Sequence, residues 1–306
     1  MAENEEKKRS LRVQLFWDPS GRELDAIGTK RYLRCLDGDT PYVAMNIRLL
    51  SIDTPEVHYP GRKKTSSWDE ALAQLAEWIW KGAAPIDAGL AEYLYPKLAT
   101  GRAGSWQEEQ GRKAKAFLER LIRERLYDEG RRRRPRSVFL RVAEEPFDRY
   151  GRLLAYMAPY YTPEERAGMD RRQRATLNLL MVEAGWAAPF PIFPNLPRHE
   201  DLELLREVAE EAYRQRRGIW QEANGLTGYE FRMSVRLYEV TERLMNGARM
   251  SEAERSGWIS RYCVDMTTRE IFYPQRYFRV PPYHRVFVRP EDVNRAVSQL
   301  NLVPGE

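Results

Sequence analysis

Cysteine and histidine are nearly absent: the 306 residues contain only Cys35, Cys263, His58, His199 and His284. Two cysteines cannot build a disulfide framework, and neither they nor the histidines fall at zinc-ligand or HExxH spacing. A zinc-built fold and imidazole-based catalysis therefore have no support. No glycine-rich loop precedes a helix, which removes nucleoside triphosphate chemistry. Long apolar runs are missing too, and Met1 to Ser10 lack the apolar stretch of a secretory signal. The expectation is a soluble, cytoplasmic, monomeric protein without a membrane partner. Charge of one sign is barely in excess, with 50 Lys and Arg against 45 Asp and Glu. That balance permits a nucleic-acid partner without arguing for one.

What is present begins with strands. Leu11, Val13 and Leu15 alternate with polar neighbours and end in the Asp18-Pro19-Ser20-Gly21 turn, as a half-buried strand does. Lys30 to Leu36 and Asn46 to Ile52 read as two further strands, each running into an acidic turn. Residues 66–126 turn helical, with capping boxes at Ser67/Glu70 and Ser105/Glu108 and a break expected at Pro96. The run Arg131 to Arg134 reads as a solvated loop. Strands at Val138 to Val142 and Arg152 to Met157 follow, then helices at about 175–184, closed by Gly185, and 201–217. The order indicates α+β architecture. Residues 1–225 form the expected main domain, with a helical insertion at about 57–106, and residues 226–306 a small C-terminal α/β accessory module.

Acids and arginines concentrate in three short segments: Asp37-Gly38-Asp39-Thr40, Arg48 to Glu56 with its Asp53-Thr54-Pro55-Glu56 ending, and Asp148 to Tyr156 with its Tyr150-Gly151-Arg152. Each alone has an ordinary reading as a turn or bend. Together and in this order they resemble the staphylococcal nuclease (thermonuclease) family, over most of residues 30–220. The resemblance implies a five-stranded OB-type β-barrel with packed helices.

On that resemblance, Asp39 and Asp53 bring hard carboxylate oxygens to one point, a donor set suited to Ca2+, with the Thr54 carbonyl as the third protein ligand. Arg48 and Arg152 would present planar donor forks to a phosphate. Glu56 would orient or deprotonate the attacking water. Tyr150 would line the phosphate pocket, Asp37 and Thr40 would support the metal ligands, and Phe190 and Phe193 would stack on a base. The implied activity is calcium-dependent hydrolysis of DNA or RNA with little sequence preference, leaving 3′-phosphates. The competing reading is a noncatalytic nucleic-acid-binding or scaffold protein on the same barrel. The aromatic and basic mixture from Tyr273 to Arg285 reads as a small packed sheet with a solvated arginine edge, the alternative being a surface that grips single strands by charge and stacking.

Overall fold

The computed structural model describes residues 30–127, 135–148 and 150–305. The expected strand at Leu11 to Leu15, its turn and the Arg131 to Arg134 run lie outside them. The chain divides into two compact units, one of residues Met1–Asn46 and Phe147–Leu153, the other of Ile47–Pro146 and Leu154–Glu306.

In the first unit, β1 (Arg31–Cys35) and β2 (Pro41–Ala44) form an antiparallel hairpin around the acidic turn. Leu36 donates to the Thr40 carbonyl at 2.9 Å, closing that turn. Asn46 accepts from the Leu153 amide at 2.9 Å, tying the two pieces of the unit together.

The second unit begins with a strand that the sequence pattern reads as continuous and the backbone breaks. Ser51 takes a left-handed φ of 58°, so β3 (Ile47–Leu49) and β4 (Ile52–Asp53) pair with different partners. β3 joins β6 (Leu153–Pro159) and β5 (Val138–Phe147) in one sheet; β4 pairs with β7 (Ala188–Pro189). The Ser51 hydroxyl shares a hydrogen bond of 2.5 Å with Tyr156, which holds the kink. A five-stranded sheet of order β12-β10-β9-β11-β8 follows, from β8 (Ile192–Phe193), β9 (Tyr262–Asp265), β10 (Glu270–Phe272), β11 (Arg285–Val288) and β12 (Val303–Pro304). Among the described residues no sheet closes into a barrel, so the architecture is α+β without the expected five-stranded closure.

The helices are α1 (Asp69–Trp80), α2 (Ala88–Leu98), α3 (Ala103–Leu126), α4 (Pro163–Ala167), α5 (Leu177–Glu183), α6 (His199–Arg214), α7 (Gly228–Met245), α8 (Glu252–Ser256) and α9 (Val293–Leu300). Neither expected capping box forms. Asp69 caps α3 across space, accepting from the Ser105 amide at 2.8 Å and from its hydroxyl, which lets α3 start at Ala103. Pro96 lies inside α2 near its end, and the helix runs on past it to Leu98 before stopping. Gly185 ends α5 at φ 76°, against the Arg217 carbonyl, where a Cβ has no room.

The C-terminal stretch shares its core with the helical insertion. Leu72, Leu75, Leu90 and Leu94 pack in one cluster with Phe231, Leu237, Trp258 and Phe287, and β8 donates a strand to the C-terminal sheet. A separate cluster around Ile52, Met181, Val182 and Leu205 supports the acidic strand end.

One buried ionic group locks these parts. Glu230, on α7, has no exposed surface; it accepts from the Tyr93 hydroxyl at 2.6 Å, from Lys97 Nζ at 3.0 Å and from the Thr227 amide at 3.0 Å. Arg285 approaches it to 3.7 Å from β11. Burial pushes the Glu230 carboxyl up, but Lys97, Arg285 and the hydrogen bonds outweigh it and hold its pKa down to about 2. Glu230 therefore contributes stability in full above the ordinary value of 4.5, and loses it as pH falls toward 2. Glu230→Ala should cost about 3–5 kcal/mol by stranding two buried cations. Denaturant titrations from pH 6 downward should show Glu230→Gln less stable at pH 6 and less acid-sensitive than the parent.

Candidate active site

In the second unit, the turn after β4 brings three of the singled-out residues together. Asp53 is 2 % exposed, because its strand end is covered by α7. Arg48 Nη2 reaches its Oδ1 at 3.2 Å. Glu56 stands beside it on the Thr54-Pro55 turn. The insertion backs this turn from behind: Gln107 of α3 accepts from the Glu56 amide at 3.0 Å and donates to the Leu226 carbonyl, while Thr65 donates to the Glu56 carbonyl at 3.0 Å. The insertion therefore buttresses the acidic turn, and what covers it is α7.

The covering residue is Arg232, which the sequence reading did not single out. Its Nη1 lies 2.6 Å from Glu56, and its Nη2 lies 3.0 and 3.2 Å from the two Asp53 oxygens. Burial opposes the charge of Arg232, but Asp53 and Glu56 outweigh it and raise its pKa. Glu56 moves the other way from a free carboxylate. Burial raises its pKa, and the Asp53 charge adds to that, against the opposing pull of Arg232 and Arg48. Arg232 lies in a helix of mixed charge, and nothing in its spacing marks it. The only local signal was the Thr227/Glu230 capping box that starts α7.

Gly228, the first residue of α7, makes the close approach possible. A Cβ there would stand 2.7 Å from Asp53 Oδ2 and would strike the Thr54 carbonyl. Thr54, expected as a metal ligand through that carbonyl, thus lies directly under the helix start.

The first unit holds Asp37, Asp39, Thr40, Tyr150 and Arg152. Thr40 donates to Asp39 at 2.9 Å, and hydrogen bonding from Thr40 and Asp39 lowers the Asp37 pKa. Arg152 is fixed by Asp148, with Nε to Oδ2 at 2.7 Å, and its guanidinium lies 5.4 Å from the centre of the exposed Tyr150 ring. Burial pushes Asp148 up, but its bonds from Arg152 and Tyr150 prevail and lower its pKa. Arg152 thus stands on the turn just ahead of β6, and that turn is built around it.

Phe190 and Phe193 serve differently from the expectation. They are 7 % and 3 % exposed; Phe190 packs on Phe287 at 4.5 Å and Tyr229 at 5.3 Å, and Phe193 joins the sheet core with Val264 and Val288. Buried in this way, neither leaves a ring face for a base, although β8 itself is the edge strand of the C-terminal sheet, beside β11.

A calcium ion does not fit the acidic turn in this arrangement. Both Asp53 oxygens and one Glu56 oxygen are bonded to guanidinium groups, and Gly228 abuts the Thr54 carbonyl. No group of three or more His, Cys, Asp or Glu able to hold a metal occurs among the described residues.

The staphylococcal nuclease homologue family model matches residues 46–222. The chain belongs to this family. The match covers Arg48, Asp53, Thr54, Glu56, Tyr150 and Arg152, starts after the Asp37 to Thr40 turn, and ends before Gly228 and Arg232. No curated protein matches the chain. Membership carries nuclease ancestry and a nucleic-acid partner as the family's general character. No helix among the described residues is long and apolar enough to cross a membrane.

The contact at Gly228 gives a test of how tightly α7 is seated. Gly228→Ala should destabilise the fold by about 1–3 kcal/mol through overpacking, despite alanine's better helix propensity. Urea unfolding of the two proteins measures it; an equal or higher midpoint for the variant would mean that α7 does not press on the acidic turn.

Proposed function

We propose that the protein is a nuclease that hydrolyses DNA or RNA phosphodiesters with little sequence preference, and that the described conformation is its closed form. The observation that supports this reading most is the gathering of Arg48, Asp53 and Glu56 in one hydrogen-bonded cluster at the acidic turn of a staphylococcal nuclease family domain. In the open form, Arg48 and Arg152 bind the phosphate oxygens on which negative charge gathers. Glu56 accepts a proton from the attacking water; its burial-raised pKa makes it a stronger base than a free glutamate. The new bond forms between that water oxygen and phosphorus. The bond to the 5′ oxygen breaks with its electron pair, that oxygen takes up a proton from solvent to leave a 5′-hydroxyl end, and a 3′-phosphate results, as the family resemblance implies.

Calcium enters this reading only after Arg232 has withdrawn, when Asp39, Asp53 and the Thr54 carbonyl would be its oxygen donors. Arg232 also favours a second reading. It supplies to Asp53 and Glu56 the positive charge that a metal would supply, as expected of a domain that binds nucleic acid without cutting it.

Labelled single-stranded DNA and RNA, incubated with calcium and then with chelator, separate the two readings. The nuclease reading expects calcium-dependent 3′-phosphate ends, faster with Arg232→Gln than with the parent, and about a hundredfold slower with Arg48→Ala or Arg152→Ala. Calcium should raise the melting midpoint of Arg232→Gln by more than that of the parent, and Asp39→Ala in the Arg232→Gln background should abolish the gain. Binding without turnover in both the parent and Arg232→Gln selects the noncatalytic reading.

A further inference from the structure

The face of α7 that carries Arg232 continues past the acidic turn. Tyr229, Arg232 and Arg236 stand at i, i+3 and i+7, one stripe of the helix. With Ser260 and Arg261, which follow α8, they line a small recess open to solvent. Its interior is about 20 Å3, room for a single oxygen atom of an anion and not for a whole group.

Two observations mark this recess as built for a ligand. Arg261 is partly buried, yet among the described residues it has neither a carboxylate nor a carbonyl partner. Its guanidinium lies over the rings of Phe190 and Tyr229, at 5.5 and 5.9 Å from their centres. Those faces attract its charge but offer no acceptor to its N–H donors. Burial lowers the Arg261 pKa; Tyr229 and Asp53 oppose this, while the neighbouring Arg232 and Arg236 push in the same direction as burial. Independently, Tyr229 is 7 % exposed and its buried hydroxyl has no hydrogen-bond partner among the described residues. Burial pushes that hydroxyl up to about 12, so it remains a donor.

The charge around the recess is unbalanced as well. Arg232 is paired with Asp53 and Glu56, whereas among the described residues Arg261 has no ion-pair partner and Arg236 engages the neutral Tyr59 hydroxyl, at 3.2 Å. Unmatched guanidinium groups with a buried hydroxyl donor are the chemistry that grips phosphate oxygens. We propose that Arg232, Arg236, Arg261 and Tyr229 form a phosphate subsite beside the acidic turn, which takes a backbone phosphate of the bound nucleic-acid strand. The strand assignment rests on the nuclease reading; the phosphate chemistry does not. A phosphate here competes with Asp53 and Glu56 for Arg232, so occupation of the subsite and release of the acidic turn favour one another.

The test uses the full chain in chelator, with inorganic phosphate followed by calorimetry and a fluorescein-labelled thymidine dodecamer followed by anisotropy. Both probes should bind, phosphate should displace the dodecamer, and Arg261→Gln should weaken each about tenfold. Arg236→Gln, at an exposed position, guards against a folding artefact; it should weaken the dodecamer several-fold and reduce the slope of log affinity against log salt by about 0.7. Tyr229→Phe removes a hydroxyl with no partner to lose, so its stability should hold while phosphate affinity falls several-fold. Phosphate binding that the dodecamer leaves untouched overturns the strand assignment, and affinities unchanged in all three variants overturn the subsite. The two readings fail separately. Calcium-dependent cleavage with unchanged binding in Arg261→Gln sinks the subsite alone, whereas weakened binding without any cleavage sinks the nuclease alone.

Discussion

The position of α7 depends on the buried carboxylate of Glu230. A fully buried charge is tolerable only where its partners are fixed in space, and those partners come from three places: Tyr93 and Lys97 on α2, the Thr227 amide at the helix start, and Arg285 on β11. The helix can therefore neither rotate nor slide without exposing an ion to an apolar core. At about 100° per residue, Arg232 points from nearly the opposite side of α7 to Glu230. Anchoring one face delivers the other to Asp53 and Glu56, with Gly228 setting how close the delivery comes.

That delivery decides the electrostatics of the acidic turn. Asp53 is buried with Arg48 already attached, and Arg48 alone reaches only one of its oxygens. Glu56 has Arg232 as its ion-pair partner. Withdrawing Arg232 without replacing its charge leaves a buried carboxylate partly uncompensated, a state that costs several kcal/mol. On the proposed nuclease reading, a divalent cation would satisfy the same carboxylates as Arg232, and the two could not do so together. The acidic turn would then have two exclusive occupants, one of which the chain carries within itself.

The local chemistry of the turn was legible in the sequence, and its surroundings were not. Arg48, Asp53 and Glu56 could be grouped because a short strand and a proline-stiffened turn keep them within nine residues, and β3 and β4 do bring them together. The apolar stripe Leu72, Leu75, Ala76 and Ile79 was equally plain, since helical periodicity records burial directly. The break at Ser51 escaped because a left-handed serine leaves no mark in an otherwise regular strand pattern. The Ser105 cap escaped because Asp69 supplies it from 36 positions away. Phe190 and Phe193 look like stacking rings in sequence; only the pairing of β8 with β11 shows that they face a core. Arg232 was invisible for the same reason, since its partners lie 176 and 179 residues upstream.

The family span ends at residue 222, and α7 begins at Gly228. The residues with which the family domain would bind a phosphodiester are therefore conditioned by a helix that the domain does not include. That helix is not a loosely attached appendage: Phe231 and Leu237 share a core with Leu72 and Leu90 of the insertion, and Gln107 links the Glu56 amide to the chain just ahead of α7. Insertion and C-terminal helix are thus complementary, one holding the acidic turn from behind and the other covering it in front. Shortening either would leave the turn without one of its walls, which gives a physical reason for the two additions to occur together on this domain.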